Sequence, residues 1–277
     1  MGVYSDPLSP KRLPLRWLYP RKYCAEGFRK QLAYLRAHPE LRRDADKLSD
    51  RAGKRVWKIA LPEELGGRTV VFKSCKGKKW WRYLFDLAPP AREFRNYRAL
   101  YTLGIPAAEV LAYGETRIFG FLLRSFIVTG FIEGTGNGCD FMPEGAERGD
   151  LGRRRRFCEL LAAHLATLHR HRFFHKALHP RNVLWRGATP EEMEIFFIDM
   201  ARGRVSPEEK MREAILFDLY TPLRDLELPT EESCAFLDCY LKHFPDAPFT
   251  RERLETELRA FLRHERIFNV IDHPRAR

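Results

Sequence analysis

His175-Lys176-Ala177-Leu178-His179-Pro180-Arg181-Asn182-Val183-Leu184-Trp185 is the stretch on which the fold turns, together with Phe196-Phe197-Ile198-Asp199, whose Ile198 lies thirteen residues past Trp185. Apolar residues recur at helical spacing just upstream. Phe157, Leu160, Leu161, Leu165 and Leu168 predict an amphipathic helix over 153–171. Val183–Trp185 and Ile195–Ile198 read as two short strands around a polar turn. A loop after a helix therefore presents the amide oxygen of Asn182, and a strand delivers the carboxylate of Asp199. Two such oxygens suit one Mg²⁺, a hard cation that prefers oxygen ligands and fills its shell with phosphates.

Outward from this core the chain changes character. Arg55–Leu61 alternates as a strand, Glu63-Glu64-Leu65-Gly66-Gly67 is a turn, and Arg68–Ser74 is a second strand carrying Lys73. Pro89 and Pro90 precede a helix from Ala91 to Leu103, in which Glu93 is the only acidic residue. Val110–Tyr113, Ile118–Leu123 and Phe126–Phe131 read as three further strands. Downstream, Ser206-Pro207-Glu208-Glu209 has capping-box spacing with Pro at the first helical position, and helices follow over Thr230–His243 and Thr250–Phe268. The pattern predicts an α+β protein: a basic extension with a helix over 1–54, a β-rich lobe over 55–133 and a mostly helical lobe over 134–277. Within the extension, Phe28, Leu32 and Leu35 mark a helix over 25–41, and Arg42–Lys54 reads as a charged connection.

Composition narrows the partners. The 277 residues carry a formal net charge of +12, which favours anionic partners such as nucleic acid, an acidic membrane surface or a phosphorylated glycolipid. No zinc-finger spacing, helix-turn-helix signature or RNP motif accompanies the charge, so no specific nucleic acid is expected. His164, His169 and His171 lack the Cys or carboxylate pattern of a zinc site. Six cysteines without a CxxC pair fit a reducing cytoplasm, with Cys158, Cys234 and Cys239 expected as buried thiols. No run of about 18 apolar residues occurs, so membrane contact would be peripheral. Arg153–Arg156, or Trp80-Trp81 beside Lys76, Lys78 and Lys79, could face anionic headgroups. For the arginines the other reading is a solvated helix start, and for the tryptophans it is lobe packing.

The central run resembles the kinase catalytic loop H-x-D-x-x-x-x-N, with His175 and Asn182 at its ends, and Phe196–Asp199 resembles the strand that closes on the metal-binding Asp of D-F-G. "HPRNVLW" followed by "FFIDMARGR" is similar to the lipopolysaccharide kinase family (Kdo/WaaP-type), whose members phosphorylate inner-core sugars. The resemblance implies a protein-kinase-like two-lobed fold using ATP and Mg²⁺. It implies Lys73 on the α- and β-phosphates, Glu93 as its ion-pair partner, and Asn182 and Asp199 as metal ligands. Asp218 would brace the catalytic loop, and His175 would be a structural part of that loop. Thr129–Glu133 would be the hinge, with Thr129 and Phe131 beside adenine. The implied acceptor is a lipopolysaccharide-core sugar at the cytoplasmic face of the inner membrane.

Three departures stand out. Ala177 occupies the position of the catalytic Asp, and a methyl group can neither take a proton nor orient a hydroxyl. No G-x-G-x-x-G loop is present, Gly66-Gly67 being a weak substitute, and D-F-G is replaced by Asp199-Met200-Ala201. Two readings stay open: a sugar kinase with reduced or abolished turnover, and a pseudokinase that binds nucleotide, a membrane or a partner.

Overall fold

The computed structural model describes residues 22–44, 46–51, 53–76, 87–118, 121–176 and 178–272; Trp80, Trp81 and Ala177 lie outside the described residues. The chain divides into two compact units, residues 1–133 with 199–202, and residues 134–198 with 203–277.

The first unit is built on a six-stranded sheet in the order β1-β5-β6-β4-β3-β2, every neighbouring pair antiparallel. Its strands are β1 (Lys22–Cys24), β2 (Asp46–Arg51), β3 (Lys54–Ala60), β4 (Thr69–Lys76), β5 (Val110–Ile118) and β6 (Phe121–Gly130). Side chains alternate between two covered faces. On one, Trp57, Ile59, Val70, Phe72 and Val128 pack against Phe28, Leu32 and Leu35, the last two from α1 (Arg29–Ala37). On the other lies α3 (Pro89–Thr102), whose Phe94 stacks on Tyr113 of β5 at 5.4 Å, with Tyr97 and Leu100 buried behind it. A short helix α2 (Leu41–Asp44) leads into β2.

Two expectations need correction here. The charged stretch 42–54 is no simple connection, for it contains β2, paired to β3 from Asp46↔Lys58 to Arg51↔Lys54. Its alternation is masked because an edge strand needs charge on its open side more than it needs apolar residues. The three strands expected over 110–131 are two. Gly114↔Phe126 and Glu115↔Ser125 carry the ladder through residues whose small or polar character suggested a break. At Gly114 the partner ring comes so close that a Cβ would lie 2.6 Å from Phe126 Cε1.

The second unit is mostly helical: α4 (Leu151–Arg170), α5 (Met211–Leu226), α6 (Thr230–His243) and α7 (Arg251–Asp272). Asp150 caps α4, its carboxylate accepting from the backbone N–H of Arg153 at 2.9 Å. The apolar stripe of α4 is buried, and a two-contact ion pair, Arg154 to Glu232 at 2.6 and 2.8 Å, ties it to α6. Small antiparallel sheets β10-β9-β7 and β11-β8 frame the loops; they comprise β7 (Gly136–Asn137), β8 (Phe173–Phe174), β9 (Val183–Arg186), β10 (Glu194–Phe197) and β11 (Arg204–Val205). Ser206 does not cap a helix. It is buried, its backbone N–H donates to the Arg172 carbonyl, and α5 begins only after a 3-10 turn over Glu208–Lys210. All six cysteines are free; Cys158 is buried as expected, whereas Cys234 and Cys239 are half-buried. Among the described residues, no helix is long and apolar enough to cross a membrane.

Gly138 backs directly onto the turn that carries Asn182: a Cβ there would lie 2.7 Å from the Pro180 carbonyl oxygen and 2.8 Å from the Phe157 ring. Since one neighbour is backbone, Gly138→Ala is expected to cost about 1–3 kcal/mol, the usual toll of overpacking. The midpoint of urea denaturation measures it, and an unchanged midpoint would mean that this turn is not packed as described.

Candidate active site

In the first unit Lys73, Glu93 and Asp199 come together. Val56↔Lys73 and Lys54↔Cys75 pair across β3 and β4, so Lys73 lies on the sheet face that meets α3. Its Nζ donates to both oxygens of Glu93, at 2.6 and 2.9 Å, and to Oδ1 of Asp199 at 3.0 Å. Lys73 and Glu93 are both buried. Burial alone would push the Lys73 ammonium down, but the carboxylates of Glu93 and Asp199 override it and hold it above its ordinary value. Burial pulls the Glu93 carboxyl the other way, up, against the attraction of Lys73. The ionised pair is the form the geometry fits, because each Glu93 oxygen has an ammonium hydrogen to accept.

Asp199 follows β10 with φ of +54°, a left-handed conformation that Asp tolerates better than most residues. One face of α3 fixes it. Asn96 donates to the Met200 carbonyl at 2.6 Å, and the Tyr97 hydroxyl reaches the Asp199 backbone. Glu93, Asn96 and Tyr97 stand at i, i+3 and i+4, the spacing that shares one helix face. Burial would raise the Asp199 carboxyl, yet Lys73 and Lys54 hold it well below the usual carboxylate range. Lys54, like Asn96, is a residue that sequence reasoning missed: its Nζ lies 3.3 and 3.1 Å from the two Asp199 oxygens. Its signal, one lysine among several Lys and Arg at the start of a strand, was too common to isolate.

Thr129 is buried in β6, paired to Val71 and Val110. The Phe131 N–H is committed to the Thr69 carbonyl at 3.1 Å, and Lys58 Nζ sits 4.2 Å from the centre of the Phe131 ring. Gly66 and Gly67, both at positive φ, close the 3-10 turn over Glu63–Leu65 at the far end of the β3–β4 hairpin from Lys54 and Cys75. They serve that turn, whereas the glycine next to Lys54 in the chain is Gly53, with φ of +91°.

The second unit holds the loop residues. Asp218, fully buried on α5, accepts from the backbone N–H groups of His175 at 2.6 Å and Lys176 at 2.7 Å. It thus braces the loop as the resemblance implied, and it steadies Lys176 at φ +57°. The His175 ring is buried. One face of α5 grips the loop again seven residues on, where Asp225 meets His179 Nδ1 at 2.9 Å. Asn182 sits in a 3-10 turn; its N–H donates to the His179 carbonyl at 2.8 Å, and its own carbonyl accepts from Ile198 N–H at 2.9 Å. Ala177, between these anchors, is outside the described residues.

In the first unit Asp199 is an ionised carboxylate, a hard oxygen donor of the kind a dication takes. Among the described residues, no group of three or more His, Cys, Asp or Glu is placed to hold a metal ion.

A sequence profile described as the lipopolysaccharide kinase (Kdo/WaaP) family matches residues 73–240. No curated protein matches the chain. A solved structure described as WaaP in complex with acyl carrier protein is similar with a TM-score of 0.65 and 18% identity, covering 89% of this chain and 98% of that one. Another, described as the crystal structure of BubR1 kinase domain, has a TM-score of 0.49 and 13% identity over 79% of each chain. The fold is α+β and protein-kinase-like.

Lys73→Met would leave Glu93 buried without its cation, a loss that typically costs about 3–5 kcal/mol. The folded-state pKa of Glu93 would then stand higher above its unfolded value. Stability is present below the unfolded pKa and is lost as pH rises through the folded one. The variant is therefore expected to lose more stability at pH 8 than at pH 5, read as the difference in melting temperature from wild type. An equal deficit at both values would contradict the ionised pair.

Proposed function

The chain belongs to the lipopolysaccharide kinase (Kdo/WaaP) family, and on that premise we propose that it binds ATP with Mg²⁺ and directs the γ-phosphoryl group to a hydroxyl of a lipopolysaccharide inner-core sugar, heptose or Kdo, with turnover limited by Ala177. The observation that carries the reading is the buried Lys73–Glu93 pair converging with Asp199. That arrangement presents a fixed ammonium beside an ionised carboxylate, which is what phosphate positioning and charge neutralisation need.

In this reading Lys73 grips the α- and β-phosphates, and Glu93 keeps its ammonium aimed. Asn182 and Asp199 would hold magnesium, which when bound neutralises phosphate charge. His175 keeps the loop backbone in place. Thr129 lines the adenine end, and Phe131 contributes its ring or carbonyl, its N–H being engaged by Thr69. Transfer forms a bond between the acceptor oxygen and phosphorus and breaks the bond to the ADP oxygen. The acceptor proton must leave as well, and Ala177 offers no atom to receive it. The net charge of +12 favours an anionic glycolipid acceptor at the cytoplasmic face of the inner membrane, reached by peripheral contact. A carrier protein such as the one bound to the solved WaaP is a further candidate partner.

Ala177 itself favours a second reading, a pseudokinase that holds nucleotide as a binding module. One experiment separates the two. Ala177→Asp is expected to raise phosphate transfer to a core-oligosaccharide acceptor by about 10²–10⁴-fold, the usual worth of general-base assistance. Product mass and ADP release measure it. A folded variant that gains melting temperature with ATP yet makes no product would favour the pseudokinase. Absence of any ATP-dependent shift in either protein would count against both readings.

A further inference from the structure

We propose that Lys54 is a second phosphate-gripping lysine of the nucleotide site, and that before nucleotide arrives its ammonium neutralises Asp199 in place of a metal cation; this rests on the ATP-binding reading above. Among the described residues, four charged groups form the cluster: Lys54, Lys73, Glu93 and Asp199, two ammoniums facing two carboxylates. Their shares differ, however. Lys73 occupies both oxygens of Glu93 and one of Asp199, whereas Lys54 contacts Asp199 alone, at both oxygens.

Exposure differs too. The Lys73 side chain is 11% exposed and locked among three oxygens, while that of Lys54 is 36% exposed and stands at the first residue of β3. One lysine is fixed and the other can swing on its four-carbon stem. A magnesium triphosphate brings net negative charge together with a cation that takes carboxylate oxygen. A bound dication would take the Asp199 oxygens that Lys54 now contacts, which would leave the Lys54 ammonium available to phosphate oxygens. This supplies from a side chain what a glycine-rich loop supplies from backbone N–H groups. The sequence has no G-x-G-x-x-G loop, and Gly53 is the residue just before Lys54.

An exposed ion pair of no consequence would be the ordinary alternative for a lysine at a strand end. Convergence argues otherwise. Lys54 and Lys73 lie diagonally on the same sheet face, where like charges repel, and both turn to one carboxylate more than a hundred residues away in the chain.

The test uses the full chain with Lys54→Met, which keeps the stem and removes the charge, and Lys54→Arg, which keeps a cation. Mn²⁺ binding without nucleotide and binding of adenosine, ADP and ATP with Mg²⁺ are measured by calorimetry. For Lys54→Met the two effects should have opposite signs: Mn²⁺ binds more tightly because its competitor is gone, and ATP binds about tenfold or more weakly, with adenosine unchanged. Lys54→Arg should retain most of the ATP affinity. A merely structural lysine would weaken every ligand together. Equal ATP affinity in Lys54→Met and wild type, or weaker Mn²⁺ binding in the variant, overturns the role of Lys54 while leaving the nucleotide site standing. If wild type itself binds no ATP, the nucleotide reading falls and Lys54 with it. Should Lys54→Met not fold, Lys54→Gln takes its place under the same criteria.

Discussion

One carboxylate shared between two lysines organises the first unit. Lys54 and Lys73 project from the same face of adjacent strands, and without Asp199 and Glu93 they would repel each other on a surface covered by a helix. The apolar side chains of α3 set that helix on the sheet through Phe94, Tyr97 and Leu100. Its polar positions then dictate where the Asp199 segment must run. Packing places the helix, and electrostatics uses the placement.

The second unit solves a different problem. A loop with Lys176 in a left-handed conformation is held by a buried carboxylate on α5, and the same face of that helix reaches the loop again at His179. Hydrogen bonds from backbone N–H groups to a buried carboxylate are among the stronger neutral-to-charged contacts. The scaffold around position 177 is therefore elaborate even though the side chain there is a methyl. A braced loop with alanine at position 177 is what both functional readings have to accommodate.

How far could the residues alone be read? Asn182 and Asp199 stood out because an apolar helix, a polar loop and a short hairpin frame them at recognisable spacing, whereas Lys73, Glu93 and Asp218 followed from the family resemblance. Helices over 151–170 and 230–243 were legible from their apolar repeats. Edge strand β2 was not, since charge at an edge hides alternation, and the unbroken β5–β6 ladder was obscured by Gly114 and Ser125. Asn96 and Lys54 were invisible for another reason. Their partners, the Met200 carbonyl and the Asp199 carboxylate, are more than a hundred residues away, and nothing local marks either as a site residue.

Residues 199–202 group with the first unit although the chain on both sides of them belongs to the second. Counting the peptide links at 133/134, 198/199 and 202/203, the backbone passes between the units three times. The smaller sheet-bearing half is thus not a segment that can be excised. A fragment stopping at Glu133 would carry both lysines and the glutamate but forfeit the aspartate they share, so dissection by truncation would yield an incomplete charge set rather than a working half.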